Sequence, residues 1–330
     1  MMNISSDRPR ILTNMAFWQS RAWAESTESI YPMTGRSIDP SFDSPWIEAC
    51  KLFARRRSFD VIVTMGARAS LLYGLLCVLT FQKSKQIMTE VFLDDDRSGN
   101  PLWRLKILLY CAVARRALGI LTNSSAEIDT IARRFRIPES HVRYVPMHSN
   151  IHKPDFSELN DGFVLSAGRT RRDYETLLQA APRIGSPILI IAGAGDSFPA
   201  PLPKNTSILR DVSRSVYLDY LRRCLLVVLP LLPTERSTGQ VVLLEAMAFG
   251  KPVVASRAPG TTDLIRHGEN GILVEPGNAE KLAGEVRRLI DQPDLARQLG
   301  MNAVNDVRNA YTFDIHAEAK LKAIRELWRF

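Results

Sequence analysis

The chain has 330 residues, 45% of them hydrophobic and 24% charged, with a formal net charge of +8. This length is large for one hydrophobic core and sufficient for two domains, and the composition is that of an ordinary soluble globular protein. The most apolar window, residues 69–81, is too short to cross a bilayer, so a membrane-spanning protein is excluded.

Strands and helices are predicted to alternate through the first half of the chain. Compact β-branched runs indicate strands, and longer apolar-periodic segments after Ser or Pro indicate helices. Ser44 and Ser125 are the expected helix caps. The predicted strands are 10–13, 60–64, 86–93, 118–122 and 142–145, and the predicted helices are 44–53, 68–81, 101–117 and 125–135. Such alternation predicts a parallel sheet with helices on both faces.

A segment rich in Pro, Asn and charges, residues 148–162, interrupts this pattern and is predicted to be a linker. A second alternating series follows, and the chain closes with a predicted amphipathic helix at 314–328. The predicted elements of this series are 163–166, 174–181, 187–192, 215–223, 225–229, 240–249, 252–255, 262–265, 271–274 and 279–290. Two doubly wound α/β domains are therefore predicted.

The cysteines and the amino terminus bear on the cellular compartment. Four cysteines are scattered without a C-x-x-C pair, which indicates buried thiols in a reducing compartment and argues against metal ligands or disulfides: Cys50, Cys77, Cys111 and Cys224. Residues 1–12 lack the basic-then-apolar layout of a signal peptide. We therefore expect a cytoplasmic protein.

The most informative stretch is STGQVVLLEAMAFGKPVVAS, residues 237–256. It predicts a short helix after Gly239, stopped by Gly250 and Pro252, and then a buried strand. Glu245 lies inside this otherwise apolar helix, where a carboxylate is costly unless something hydrogen-bonds to it. Paired sugar hydroxyls would satisfy it, because an ionised carboxylate can accept from both. The alternative is a capped or surface Glu on a core helix.

This stretch resembles the carboxy-terminal half-site of retaining GT-B-fold glycosyltransferases of family 4, which use nucleotide-sugar donors. In that family a second Glu, matched here by Glu245, holds the ribose hydroxyls of the donor. The first Glu falls on Ser237, and Glu235, two residues earlier, is a potential substitute. The resemblance implies two Rossmann-like domains facing across a cleft, residues 1–150 on the acceptor side and 160–311 on the donor side. The last helix, within 312–330, would pack back on the first domain.

The resemblance also suggests how a diphosphate would be held. The turn Gly168-Arg169-Thr170-Arg171-Arg172 is similar to the family's Gly-Arg loop, with Arg169 at the Arg position and Arg172 at the position of a later Lys. Guanidinium groups suit phosphate oxygens. The turn Gly239-Gln240-Val241 would offer helix N–H groups to the second phosphate. Ser237 or Thr238 could also simply cap that helix, and both interpretations can hold at once.

The first half departs from the family pattern. The turn after the first strand, residues 14–17, has no glycine, and no histidine lies where the family places one near the reaction centre. Glu90 is the predicted replacement, followed by the acidic run 94–96. Because the family rarely requires metal ions, no metal and no cofactor are assigned beyond the nucleotide-sugar co-substrate.

Charge is uneven along the chain. Residues 1–150 carry 20 Lys and Arg against 14 Asp and Glu, whereas residues 151–330 carry 23 against 21. The basic first half is compatible with peripheral contact to the inner membrane face and with a glycan or lipid-linked acceptor, although a solvated helix face is the favoured explanation of each cluster alone. No nucleic-acid signature is present.

The resemblance implies a retaining hexosyltransferase-type enzyme (EC 2.4) of polysaccharide biosynthesis. Two alternatives remain open at this stage. One is a catalytically silent subunit that binds a sugar nucleotide, which Ser237 and the missing histidine would explain. The other is a nucleotide-sugar epimerase, which shares the two-domain architecture.

Overall fold

A computed structural model describes residues 8–15, 20–31, 44–92 and 99–330 of the chain. The chain divides into two compact units. The first comprises Met1–Pro146 together with Phe313–Phe330, and the second is Met147–Thr312. The segment 148–162, expected to be a linker, is therefore part of the second unit.

The first unit is built on a six-stranded, all-parallel sheet in the order β2-β1-β3-β4-β5-β6. Its strands are short and largely buried, as expected when helices cover both faces of a parallel sheet. Its elements up to Pro146 are β1 (Ile11–Thr13), α1 (Arg21–Ser26), β2 (Thr27–Ser29), α2 (Pro45–Arg55), β3 (Val61–Met65), α3 (Ala67–Leu79), β4 (Gln86–Thr89), α4 (Pro101–Ala114), β5 (Gly119–Thr122), α5 (Glu127–Phe135) and β6 (Val142–Tyr144).

The second unit has a sheet of the same kind in the order β12-β11-β10-β7-β8-β9. Two apolar clusters, one on each side of this sheet, form its core. Its elements are β7 (Val164–Ala167), α6 (Tyr174–Ile184), β8 (Ile188–Ala192), β9 (Thr206–Arg210), α7 (Arg214–Arg223), β10 (Leu226–Leu229), α8 (Gln240–Ala248), β11 (Val253–Ser256), α9 (Thr261–Leu264), β12 (Ile272–Val274), α10 (Ala279–Asp291) and α11 (Pro293–Ala310).

The last helix, α12 (Phe313–Arg329), returns to the first unit. Its apolar stripe, which includes Ala317, Leu321 and Ile324, packs against the β-sheet residues Ile11 and Val63. The predicted fold class, two doubly wound α/β units with the last helix packed on the first, is confirmed.

Helix starts were predicted with mixed success. Ser44 caps α2, since its hydroxyl accepts from the Ile47 N–H at 3.4 Å. The predicted cap at Ser125 is wrong, because α5 begins later, with Ala126 at the cap position and no side-chain cap hydrogen bond. Four elements of the structure were not predicted: α1, β2, β9 and α11. Three of these are short and weakly apolar, so their periodicity gave no usable signal.

Candidate functional site

The carboxyl ends of β7 and β10 form the point at which the strand order of the second sheet reverses. In doubly wound sheets, ligands bind outside the carboxyl ends of the strands at such a reversal. The loops that follow these two strands are joined by backbone hydrogen bonds. The Leu232 N–H donates to the Arg171 carbonyl at 3.0 Å, and the Asp173 N–H donates to the Pro230 carbonyl at 3.1 Å. The cationic loop and the loop leading into α8 therefore lie side by side.

Gly168 begins the cationic loop with a φ of +127°, a conformation that side-chain-bearing residues rarely adopt. A Cβ added at this position would lie 2.2 Å from Arg172 Nη2, so the guanidinium of Arg172 lies directly over the glycine. Arg172 is fixed there because its Nε donates to the Ala167 carbonyl at 2.8 Å and its Nη1 donates to the Thr170 carbonyl at 2.9 Å. The glycine is thus required both for the turn and for the cation above it.

Arg169 and Arg172 differ in environment. Burial lowers the pKa of the Arg172 guanidinium, whereas the Arg169 side chain is largely exposed and pairs with Asp211 at 3.2 Å. Arginine stays protonated in proteins at neutral pH, so both remain cations. The loop therefore offers one fixed and one movable guanidinium to an anion.

Helix α8 starts beside this loop with Gly239 at the cap position, in the left-handed conformation with a φ of +77°. The cap residue is a glycine and so supplies no side-chain hydrogen bond to the helix. Capping by Ser237 or Thr238 stays a prediction, and the Thr238 hydroxyl donates to the Thr170 carbonyl at 3.3 Å. The first-turn N–H groups, including those of Gln240 and Val241, carry the partial positive charge of a helix start toward the cationic loop.

Glu245 is buried in α8, with its side chain 1% exposed. Its Oε1 accepts from Arg214 Nη2 at 2.8 Å and from Asn150 Nδ2 at 3.3 Å. Its Oε2 is also buried, and no hydrogen-bond donor reaches it within the described part of the chain. The carboxylate is therefore stabilised on one oxygen and retains unused accepting capacity on the other.

Tyr217 connects Glu245 to the cationic loop. Burial raises the pKa of the Tyr217 hydroxyl, the Glu245 carboxylate raises it further, and the guanidinium groups of Arg214 and Arg172 oppose this rise. Glu245, Arg214 and Arg172 are therefore each within electrostatic range of the Tyr217 hydroxyl. The hydroxyl lies beside Glu245 without the geometry of a hydrogen bond.

The segment between β9 and α7 makes a second connection. Asp211 pairs with Arg169, and three residues later Arg214 pairs with Glu245. One short segment thus contacts both predicted binding features, and the second unit brings Glu245, Arg169 and Arg172 together at one edge of its sheet.

The remaining predicted residues lie in different settings. Ser237, at the position of the family's first Glu, is buried, whereas Glu235 is exposed on the loop before it. Glu90 lies in the first unit at the end of β4, in the left-handed conformation with a φ of +55°. Its Oε1 is 3.7 Å from Nζ of Lys320, a fully buried residue of α12. The acidic run 94–96 lies outside the described residues.

Sequence reasoning missed Arg214, Asn150 and Tyr217, which surround Glu245. Arg214 and Tyr217 belong to α7, whose pattern gives no sign of which polar residues turn inward, and Asn150 lies in the segment interpreted as a linker. The cost of a lone carboxylate on an apolar helix predicted that something hydrogen-bonds to it, but the partner proposed was a sugar and not these residues.

Residues 162–292 match the family model of glycosyl transferases group 1. An uncharacterized glycosyltransferase of Methanocaldococcus jannaschii is 26% identical over 223 residues, covering 59% of this chain and 56% of the relative. N-acetyl-alpha-D-glucosaminyl L-malate synthase of Bacillus anthracis is 37% identical over 79 residues, covering 24% of this chain and 21% of the synthase. The chain thus spans about half the length of the first relative and about a fifth of the second. Residues 162–292 are thus similar in sequence to the group 1 glycosyltransferases.

Solved structures agree with the fold. Anabaena HepE in complex with UDP has a TM-score of 0.68 and 17% identity, covering 83% of this chain and 80% of that chain. Sucrose-phosphate synthase from Thermosynechococcus elongatus has a TM-score of 0.69 and 20% identity, covering 92% of this chain and 84% of the synthase chain. The chain has the two-unit, Rossmann-like GT-B fold. None of the described helices is long and apolar enough to span a membrane.

Proposed function

We propose that this protein is a glycosyltransferase that takes a sugar from a nucleoside-diphosphate donor held by the second unit. One observation carries the proposal: a buried carboxylate and a cationic loop lie at the strand-order reversal of a sheet whose sequence matches group 1 glycosyltransferases. HepE was solved with UDP and with UDP-glucose, which supports a nucleotide-sugar donor.

The diphosphate is assigned to Arg169, Arg172 and the start of α8. As the sugar–phosphate bond breaks, negative charge grows on the leaving diphosphate, and preorganised cations and N–H groups stabilise that charge more than they stabilise the intact donor. Arg172 is already fixed by two carbonyls and needs no reorganisation. Arg169 would exchange its exposed pairing with Asp211 for the phosphate.

The ribose is assigned to Glu245. Its Oε2 can accept from a ribose hydroxyl, which would supply the hydrogen bond that this oxygen lacks among the described residues. Because the Glu245 side chain is only 1% exposed, the ribose can reach it only if a covering group moves. Arg214, whose side chain is 52% exposed, is the group best placed to do so.

Transfer is proposed to proceed with retention of the anomeric configuration. The second unit presents no carboxylate that we assign as a covalent nucleophile, since Ser237 stands at the first Glu position and Glu235 is exposed. The acceptor would attack from the face that the diphosphate leaves, and a diphosphate oxygen would take its proton. A hexose as the transferred sugar, a glycan or lipid-linked acceptor, and contact of Glu90 with the reacting sugar belong to the same proposal.

The test begins with binding. The full chain is titrated by calorimetry with UDP, GDP, ADP, CDP and dTDP, and one of them is expected to bind. The matching sugar nucleotides are then incubated with the chain and with a panel of glycan and lipid-linked acceptors, and release of the nucleoside diphosphate and formation of the glycosylated acceptor are followed by NMR. Release with an α-linked product from an α-linked donor supports retaining transfer.

Each other outcome has a definite meaning. Binding without release from any donor would make the chain a silent sugar-nucleotide-binding subunit, which the buried Ser237 would explain. Conversion of the donor into an epimer without acceptor would identify an epimerase. Absence of binding by all five diphosphates would overturn the donor site itself.

A further inference from the structure

Helix α4 of the first unit is apolar on two opposite faces. One face packs into the core through Tyr110, Val113 and Ala114, which are buried. The other carries Leu102, Leu105 and Leu108, whose exposed fractions are 75%, 54% and 56%. A surface helix normally places polar residues opposite its core stripe. Here the outward face, which we call the leucine face, is apolar instead.

The spacing places Leu105 and Leu108 opposite the core, and Leu102 at the edge of the leucine face, close to the angular position of the buried Val113. At 100° per residue, Leu105 and Leu108 project from the side of the helix away from Tyr110 and Ala114. Arg104 borders this face on one side and Lys106 on the other. An apolar stripe bordered by cations on both sides is the pattern of a helix that lies in a membrane interface.

Basic residues predominate on α4 and α3, although α5, which also packs against α4, carries Glu127 and Asp129, and the acidic run 94–96 precedes α4 in the sequence. Residues 101–117, which include α4, contain no acidic residue and four basic ones: Arg104, Lys106, Arg115 and Arg116. The segment 67–85, which includes α3, also contains no acidic residue and has three basic ones: Arg68, Lys83 and Lys85. Helices α3 and α4 pack against each other. An anionic surface is therefore the complementary partner, because cations near such a surface are attracted over about a Debye length.

We propose that the leucine face of α4 docks on the surface of an anionic lipid bilayer, with Leu102, Leu105 and Leu108 entering the headgroup boundary and Arg104 and Lys106 pairing with lipid phosphates. The chain lies on the bilayer and does not cross it. This inference goes beyond sugar transfer and stands independently of it, although a lipid-linked acceptor would be presented at such a surface.

The test is co-sedimentation of the full chain with vesicles. Binding to vesicles of phosphatidylcholine with 30% phosphatidylglycerol (about a third of the lipid, enough to give a negative surface potential) is expected to exceed binding to pure phosphatidylcholine and to weaken with added salt. Leu105→Ser is expected to lower the partition coefficient about tenfold, because one leucine side chain leaves the apolar phase. Lys106→Glu is expected to lower it about tenfold or more.

Matched controls separate this surface from general stickiness. Leu159 is 55% exposed in the second unit, so Leu159→Ser removes an equally exposed leucine from outside α4. Lys204→Glu reverses an exposed charge in the second unit. Both controls are expected to bind vesicles like the parent chain.

Three results would overturn the proposal. The first is equal loss of binding in the Leu105 and Leu159 variants. The second is binding to pure phosphatidylcholine as strong as binding to the anionic vesicles. The third is a lower melting temperature or a smaller hydrodynamic size for Leu105→Ser in the absence of lipid, which would show that the leucine face is covered by a second copy of the chain. None of these readouts requires enzymatic activity, so failure here leaves the proposed transferase intact.

Discussion

Arg214 Nη2 lies 2.8 Å from Glu245 Oε1, and this ion pair joins a half-exposed guanidinium to a carboxylate that is only 1% exposed. The asymmetry determines what the pair can do. A cation with access to water can leave without a large desolvation cost, whereas the carboxylate cannot leave its helix. Arg214 is therefore both the stabilising partner of Glu245 in the free protein and the group that a bound ribose would displace.

Arg214→Ala should destabilise the second unit. Removing one partner of a buried pair costs about 3–5 kcal/mol, and the exposure of Arg214 reduces the expected loss to about 2 kcal/mol in the free energy of unfolding. Urea denaturation measures this loss. The matched control is Arg257→Ala, since Arg257 is about as exposed but pairs at 3.1 Å with a largely exposed Glu275.

The free energy of unfolding of Arg257→Ala should fall by less than about 0.5 kcal/mol, because exposed ion pairs generally contribute little to stability. Equal losses for the two variants would show that the burial of Glu245 does not set the strength of its pair with Arg214.

Glu245→Ala should remove recognition of the ribose. The parent chain is expected to bind the preferred nucleoside diphosphate about 10–100-fold more tightly than its 2′,3′-dideoxy analogue, because a hydrogen bond to a charged group contributes about 1.5–3 kcal/mol. The variant should bind both ligands with similar affinity. Calorimetric titration of the parent chain and the variant with each of the two ligands gives the four dissociation constants needed.

Arg169→Ala is the companion variant for this measurement. The Arg169 guanidinium is assigned to the diphosphate, which both ligands share. The substitution should therefore lower the affinity for both ligands by the same factor, and the ratio of the two affinities should stay as in the parent chain. A parent chain that does not distinguish the two ligands would refute the role of Glu245 while leaving the phosphate contacts open.

The sequence located these features by two kinds of signal. Glu245 was detectable because a carboxylate on an apolar helix conflicts with its surroundings, and Gly168 because the glycine precedes several arginines after a strand. Arg214 and Asn150 are 31 and 95 residues from Glu245 and have no local pattern, so only the tertiary fold reveals them. The general lesson is that a local conflict shows where a partner is needed, whereas the identity of that partner depends on long-range packing.

Gly168→Ala should affect both stability and ligand binding. The φ of +127° disfavours any side chain, and the new Cβ would displace the Arg172 guanidinium from its position over the glycine. A loss of about 1–3 kcal/mol is expected from the backbone strain, measured by thermal or urea unfolding. Nucleoside diphosphate affinity should fall in parallel, because the fixed cation would move.

Gly195→Ala provides the matched control for this substitution. Gly195 follows the neighbouring strand β8, has no positive φ recorded, and a Cβ there would meet nothing within 4 Å. Its substitution is expected to change stability by less than about 0.5 kcal/mol. If both alanine variants behave alike, Arg172 does not depend on the glycine beneath it.

Lys320→Met should change how stability depends on pH. Burial lowers the pKa of Lys320 below its ordinary value of 10.5, and the Glu90 carboxylate partly opposes this shift. The unfolded chain therefore binds a proton more readily than the folded chain, so the lysine costs stability at low pH, and this cost disappears as the pH rises toward 10.5. The methionine variant is expected to be more stable than the parent, with an advantage that shrinks as the pH rises from 7 to 10.

Urea unfolding across this pH range measures the advantage. Lys322→Met, at an exposed position on the same helix, is the control and should show no such trend. Glu90→Gln should lower stability, because it removes the negative charge that favours the protonated lysine. The expected loss in the free energy of unfolding is about 2 kcal/mol at pH 7, since the partial exposure of Glu90 weakens the pair. A methionine variant that is less stable than the parent at every pH would show that the Lys320–Glu90 pair is a net stabilising contact, and Glu90 would then be held in its strained conformation mainly by that pair.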